Sequence, residues 1–289
     1  MKNSLIKNAV TLLRTPGMIS HFGRYCIHRT PGLRGPSVKT ASGGTVSLWE
    51  DFSDYWWGRK LSMLDEGEFA LMQRMVKNAN GKAVVGIDVG AHIGVFSIDM
   101  ARAGFTSVHG FEANPRTFVR ALSNIQQNNL RGIELNCAAV GQGYGLASFV
   151  IEGGTGANHV DVTGMENSRH RIRVPTISLD LYCQENQIES VQLVKIDVEG
   201  YEPWVVKGMS RLLENGRIEA LIIEICPGTL DRTGSSVKDI AEPLNRAGYQ
   251  LCTLSADGTP GKTMTLAELE AVRNLPLPFI NVICVKKAI

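Results

Sequence analysis

The sequence predicts an α/β fold, a doubly wound and mostly parallel sheet of seven strands behind a basic N-terminal extension. Three observations predict it. A short apolar run, Val84 to Ile87, ends in Asp88 and passes through Val89-Gly90-Ala91-His92-Ile93-Gly94 into a helical pattern. Strand-like and helical patterns then alternate along most of the chain, as βαβ units with right-handed crossovers require. Three of the strand-like runs are followed by acids, Asp88, Glu112 and Asp197.

The glycine turn is the organising stretch. A buried parallel strand reads as a continuous apolar run, and a helix that starts directly after it presents free amides at the turn. Gly90 lets the backbone bend and a ligand approach, and Gly94 lets the helix pack close to the strand. The same pattern also fits an ordinary tight βα turn. It is G-x-x-x-G preceded by an acid, not the G-x-G-x-x-G that seats a dinucleotide pyrophosphate. An acid there suits a cationic ligand, and S-adenosylmethionine carries an ammonium and a sulfonium without phosphate.

Residues 1–60 read as a helical and linker extension and 61–289 as the main domain. Ser4 to Leu13 and Met18 to His28 have helical spacing, Pro31 to Pro36 is a linker, and a strand is expected over Val46 to Trp49. Asp54-Tyr55-Trp56-Trp57-Gly58-Arg59 offers rings that would cover a ligand or pack the extension onto the domain. A helix follows over Asp65 to Val76. Strand two is Ser107 to Phe111, ending at Glu112, and Pro115 opens the next helix with a stripe of Phe118, Val119, Leu122 and Ile125. Strand three is Ile133 to Cys137, leading into Ala138-Ala139-Val140-Gly141.

Residues 141–175 break the alternation. Strands are expected over Ala147 to Ile151 and Arg171 to Val174, with a flexible loop, Gly153 to His159, between them. Such an insertion would shape the substrate site. A short run, Ile177 to Leu179, ends in Asp180, expected to cap the helix Leu181 to Glu185. Strand four, Val191 to Ile196, leads into Asp197-Val198-Glu199-Gly200-Tyr201-Glu202, and one helix is expected from Pro203 through Leu213. Strand five is Ala220 to Ile225 and strand six Tyr249 to Leu254, with the helix Val237 to Leu244 between them. Thr265 and Glu268 fit a capping box. The last strand, Phe279 to Val285, follows a short helix and a Pro-rich stretch, which suggests an antiparallel closing strand.

Hydrophobic content of 44% and charged content of 20% are those of a soluble globular protein. No apolar run approaches the ~20 residues of a membrane span, and no cleavage site of the signal-peptide kind follows the first helix. The six cysteines form no C-x-x-C pair and four lie in or beside strand-like runs, which argues for a reducing cytoplasm. Net charge is +2, yet residues 1–49 hold seven Lys/Arg and no acid, leaving the remainder net acidic. The basic lead-in is either a solvated face or a peripheral contact for an anionic surface. No nucleic-acid partner is expected, and the oligomeric state is open, a homodimer included.

Three blocks resemble the FkbM family of S-adenosylmethionine-dependent methyltransferases. They are Ile87-Asp88-Val89-Gly90-Ala91-His92-Ile93-Gly94 continuing to Phe111-Glu112-Ala113-Asn114-Pro115; Thr176-Ile177-Ser178-Leu179-Asp180; and Leu193 through Glu202 with Val206-Lys207-Gly208 and Ile223-Glu224. The family's common Glu-Pro-Asn-Pro stands here as Glu112-Ala113-Asn114-Pro115, which keeps the acid. The resemblance implies a Rossmann-like class I methyltransferase fold and O-methylation, typically of a sugar or natural-product hydroxyl.

Glu112, 24 residues after Asp88, is placed to accept hydrogen bonds from both ribose hydroxyls, or is a surface acid at a helix start. Asp88 is expected to act near the methionyl end of S-adenosylmethionine, directly or through the loop amides, Gly90, Ala91 and Gly94 beside it through the backbone, with Ala113 after Glu112 and Ala139 at the adenine edge. Asp197 is assigned to the cofactor's amino-acid end or the reacting centre. Glu199 is assigned to the acceptor hydroxyl as orienter or base, because an alcohol is a weak nucleophile. Alternatively, Glu199-Gly200 only caps the helix at Pro203. Lys195 is expected to pair with a carboxylate such as Glu224. His92 would contact ligand or solvent, and His159 and His170 are alternative bases on an exposed loop. Asp197 and Glu199 would suit a hard cation such as Mg²⁺, but the spacing requires none and no metal is assigned.

The leading function is therefore S-adenosylmethionine-dependent O-methylation of a hydroxylated small molecule or glycan. The alternatives are an NAD-type oxidoreductase and a non-catalytic cofactor-fold module docking through its basic N-terminus.

Overall fold

The structure, a computed structural model of the 289-residue chain, describes residues 37–47, 66–151, 158–162, 164 and 170–286. The helices expected before residue 31, the Pro31 to Pro36 linker and the Asp54 to Arg59 aromatics lie outside the described residues. A hairpin, β1 (Ser37–Lys39) and β2 (Thr45–Ser47), opens the description. It docks on the main domain through Thr45 N–H to Asn128 Oδ1 (2.8 Å) and Ser47 N–H to Asn124 Oδ1 (2.9 Å).

Helix α1 (Glu66–Asn78) leads into β3 (Val85–Val89), α2 (Val95–Ala103), β4 (Ser107–Phe111), α3 (Pro115–Gln127) and β5 (Ile133–Asn136). The main sheet continues with β10 (Val191–Ile196), β11 (Ile218–Ile225), β12 (Tyr249–Leu254), β13 (Pro260–Thr263) and β14 (Ile280–Lys286). Its order is β13-β12-β14-β11-β10-β3-β4-β5. Strands β5, β4, β3, β10 and β11 are mutually parallel, so their carboxyl ends share one edge. The expected antiparallel last strand is β14, inserted between β11 and β12. Among the described residues the sheet has eight strands rather than seven, because the chain turns back after β12 and pairs the exposed β13 with its free side.

The insertion folds as a second sheet, β6-β9-β7-β8, made of β6 (Ala139–Val140), β7 (Gly145–Val150), β8 (His159–Val160) and β9 (Arg171–Ile177). Strand three therefore stops at Asn136, and Ala139-Val140 belongs to the second sheet, paired with Thr176-Ile177. His159 is no loop residue. It is buried in β8 opposite Val150. His170 is exposed beside β9.

Helix α4 (Leu179–Glu185) is capped by Ser178, whose Oγ accepts from Leu181 N–H, and not by Asp180. The Asp180 carboxylate instead accepts from Arg211 and Leu212 N–H, at the start of a different helix. That second donor set restarts the chain, so the single helix expected from Pro203 to Leu213 is two, α5 (Glu202–Lys207) and α6 (Ser210–Glu214). Helix α7 (Pro227–Arg232) then crosses the carboxyl edge directly after β11, and α8 (Val237–Arg246) and α9 (Leu266–Ala271) complete the layers. The Thr265–Glu268 capping box is present at α9.

Ile87, Val194, Ile196, Leu221 and Ile223 are fully buried at the centre of the sheet, as strands covered on both faces must be. No helix of the described residues is long and apolar enough to cross a membrane.

Candidate active site

The carboxyl edge gathers the acids the sequence singles out. After β3 the chain turns at Gly90 (φ +85°), where a Cβ would lie 1.8 Å from Asp197 O. Only glycine fits both the left-handed backbone and that approach, and it lets Asp197 N–H donate to Val89 O (3.0 Å). Gly90 and Ala91 N–H both donate to Phe111 O (2.9 and 2.8 Å), tying the turn to the end of β4, and Gly94 is the N-cap of α2.

Asp88 is buried and accepts from Ser97 Oγ (2.6 Å), one turn into α2. Burial, outweighing that hydrogen bond and Lys195, pushes its carboxyl up to about 6. The structure thus turns the Asp88 carboxylate toward α2, and the backbone of 90–94 forms the surface next to it.

Glu112 is buried, with Oε2 accepting from His92 N–H and Oε1 from Asn114 N–H, each at 2.8 Å. Each oxygen keeps a lone pair, enough for the two hydroxyls of a ribose. Burial raises its carboxyl to about 7. It is not the surface acid of the alternative reading. Close by, Thr117 in the first turn of α3 buries a hydroxyl that has no hydrogen-bond partner among the described residues. Ala113 is partly buried and Ala139 fully so, and both pack in the core of the second sheet with Phe149, Val160 and Val174.

Carboxylate oxygens of Asp197, Glu199 and Glu224 lie within 4.8 Å of one another. A proton or a hard cation can relieve such crowding. Lys195 is buried, and its Nζ pairs with Asp197 Oδ2 (3.2 Å) rather than directly with Glu224. Burial opposes its charge, but Asp197, Glu68 and Glu224 outweigh burial and hold the ammonium above the usual lysine range. Glu224 is raised well above the carboxylate range by burial and then by Asp197 and Glu199.

Glu199 sits at φ +55°, a left-handed backbone uncommon outside glycine. His92, at φ +49°, is the matching case in the glycine turn. Such strain persists where surrounding structure over-determines it, and it concentrates at functional sites. Burial first, then Asp197 and Glu202, push the Glu199 carboxyl up to about 8, against Arg232 and Lys195. It does not cap α5. That helix begins at Glu202, and Glu202 takes the amides of the preceding turn.

Sequence reasoning gave no role to Ser97, Glu202 or Arg232, and used Glu224 only as a partner for Lys195. Their signals were present, a serine one turn past the glycine turn and acids repeating at the strand ends, but only the fold converges them.

The carboxyls with raised proton affinity bear on stability. Asp88, Glu112, Glu199 and Glu202 hold protons at pH values where the unfolded chain has lost them. The folded state therefore binds more protons between about pH 4.5 and pH 8, and stability falls as pH rises through that window. The melting temperature of the ligand-free protein is expected to be lower at about pH 8.5 than at about pH 5.5.

The profile of the methyltransferase FkbM domain matches residues 88–251, more than half of the chain. The hexuronic acid methyltransferase AglP of Haloferax volcanii is 26% identical over 222 residues, 76% of this chain and 84% of that protein. Solved structures with a general likeness include a putative methyltransferase from Streptococcus mutans in complex with SAH (11% identity, 75% of this chain and 96% of that one, TM-score 0.42). Another is the magnesium protoporphyrin IX methyltransferase of Synechocystis PCC 6803 with bound SAM (13% identity, 83% and 86%, TM-score 0.43). The match begins at Asp88 in β3 and ends at Leu251 in β12, and so spans every acid of the carboxyl edge: the chain belongs to the FkbM methyltransferase domain family.

Proposed function

We propose that this methyltransferase moves a methyl group from S-adenosylmethionine to a hydroxyl of a sugar, with Glu199 as the base. The observation that carries the reading is the placement of Glu199. It is a carboxyl with a proton affinity near that of the medium, held in a left-handed turn, and its oxygens take no hydrogen bond from the described residues. It is therefore available to a ligand.

The donor set fits S-adenosylmethionine. Glu112 offers two acceptor oxygens to ribose, the 90–94 backbone gives a close surface, and the acidic edge suits a cation. When bound, the cofactor supplies a methyl group on a positively charged sulfur. Asp197, fixed by Lys195, faces the amino-acid end or the reacting centre. Glu199 would take the proton of the acceptor hydroxyl as that oxygen becomes methylated. The remaining work is alignment of oxygen, carbon and sulfur.

The name of the Haloferax relative points to uronic acids as the acceptor class. Arg232, exposed at the end of α7 and within electrostatic reach of Glu199, would suit a sugar carboxylate. The test is S-adenosylhomocysteine release with methyl glucuronide, methyl galacturonide and methyl glucoside, with and without EDTA. Turnover on a sugar, located by mass and NMR on an oxygen and insensitive to EDTA, is expected. Transfer to nitrogen or carbon, or to none of the sugars, overturns the sugar O-methylation reading.

A further inference from the structure

The acid that follows the reacting-centre turn has no part in the chemistry above, yet it is more deeply buried than any of the three that crowd the edge. Glu202 is 2% exposed. Its Oε1 accepts from Val198 N–H (3.1 Å) and Gly200 N–H (3.2 Å), the two amides on either side of Glu199. On the far side of the turn, Thr233 Oγ donates to Gly200 O (3.0 Å). A Cβ on Gly200 (φ +101°) would lie 2.4 Å from Thr229 O, so α7 closes directly over the turn. Glu199 and Gly200 are thus two successive left-handed residues clamped from both sides.

We propose that Glu202 is a positioning residue that fixes Glu199 at the acceptor by holding the Val198 and Gly200 amides in one carboxylate oxygen. The inference rests on the base reading for Glu199 and adds what keeps that base in place. A left-handed backbone is unfavourable for a non-glycine residue. Without the clamp the turn would relax, and the Glu199 carboxylate would swing with it. For holding the turn it is the reach of the side chain that matters, because one oxygen must meet two amides; its charge acts separately, by raising the proton affinity of Glu199.

Two conservative variants separate reach from charge. Glu202→Gln keeps an oxygen at the same distance and loses the charge. Glu202→Asp keeps the charge and is one methylene short. With methyl glucuronide as acceptor at about pH 9.5, where Glu199 is ionised with or without the Glu202 charge, Glu202→Asp is expected to lower kcat about tenfold or more with the acceptor KM and S-adenosylhomocysteine affinity little changed, while Glu202→Gln stays within about threefold. Hydrogen exchange of the Val198 and Gly200 amides, read without any acceptor, is expected to quicken about tenfold or more in Glu202→Asp and to stay within about threefold in Glu202→Gln. Any other ordering in either measurement overturns the proposal. In a Glu199→Gln background, Glu202→Asp is expected to add no further loss. A second full loss there shows that Glu202 does not act through Glu199 and overturns the proposal, leaving the base reading intact. Full activity of Glu199→Gln alone removes the base reading, while the exchange ordering still decides whether Glu202 fixes the turn.

Discussion

Glu199→Gln is expected to lower kcat by about 10²–10³, with S-adenosylmethionine affinity changed less than about threefold. The substitution keeps the size and polarity of the side chain and removes only its ability to take a proton. An alcohol gives up its proton late, as the new carbon–oxygen bond forms, so a base of well-matched proton affinity speeds the step most. Burial and the neighbouring Asp197 and Glu202 carboxylates bring Glu199 up to about 8. The base works only when ionised, so kcat of the parent protein is expected to rise with pH through about 8 and level above it. The Glu199→Gln protein should lose that limb along with its rate. Stopped S-adenosylhomocysteine release at saturating donor, from about pH 6 to about pH 9.5, reads both effects. Undiminished turnover would end the base role.

Glu112→Ala is expected to weaken S-adenosylmethionine binding about 10- to 100-fold. Hydrogen bonds to a charged group contribute about 1.5–3 kcal/mol, and each 1.4 kcal/mol is tenfold in affinity. The Glu112 carboxylate also takes the His92 and Asn114 amides, so its loss loosens the glycine turn as well. Its raised carboxyl, near 7, adds a signature. Binding uses the ionised form, so donor affinity should tighten as pH rises through about 7 and the dependence should vanish in Glu112→Ala. Calorimetric titration with S-adenosylmethionine, S-adenosylhomocysteine and NAD reads this without an acceptor. Tight NAD binding alone would return the chain to the dinucleotide reading and make Glu112 a dinucleotide ligand.

These two acids show how much of the site the sequence carried. The edge positions of Glu112 and Glu199 were legible because each follows an apolar run that reads as a buried strand, and parallel strands put all such residues on one edge. The residues hydrogen-bonded around that edge were not. Ser97, Glu202 and Thr233 meet their partners by hydrogen bonds across turns, and no periodicity records a hydrogen bond. Asp180 shows the same limit from the other direction. Its spacing fits the cap of its own helix, yet Ser178 holds that place and Asp180 serves α6, about thirty residues on in the chain.

The sequence by itself determined the strand–glycine turn–helix unit, the alternation that makes a parallel sheet, the antiparallel last strand and the acids at the strand ends, because burial on both faces and glycine's backbone freedom leave direct marks in residue order. Only the tertiary structure decided that β6, β7, β8 and β9 form a second sheet apart from the main one, that β13 adds an eighth strand, and that Lys195 pairs with Asp197. Those depend on which edges remain unpaired and which charges meet after packing, and they are properties of distance between segments rather than of any one of them.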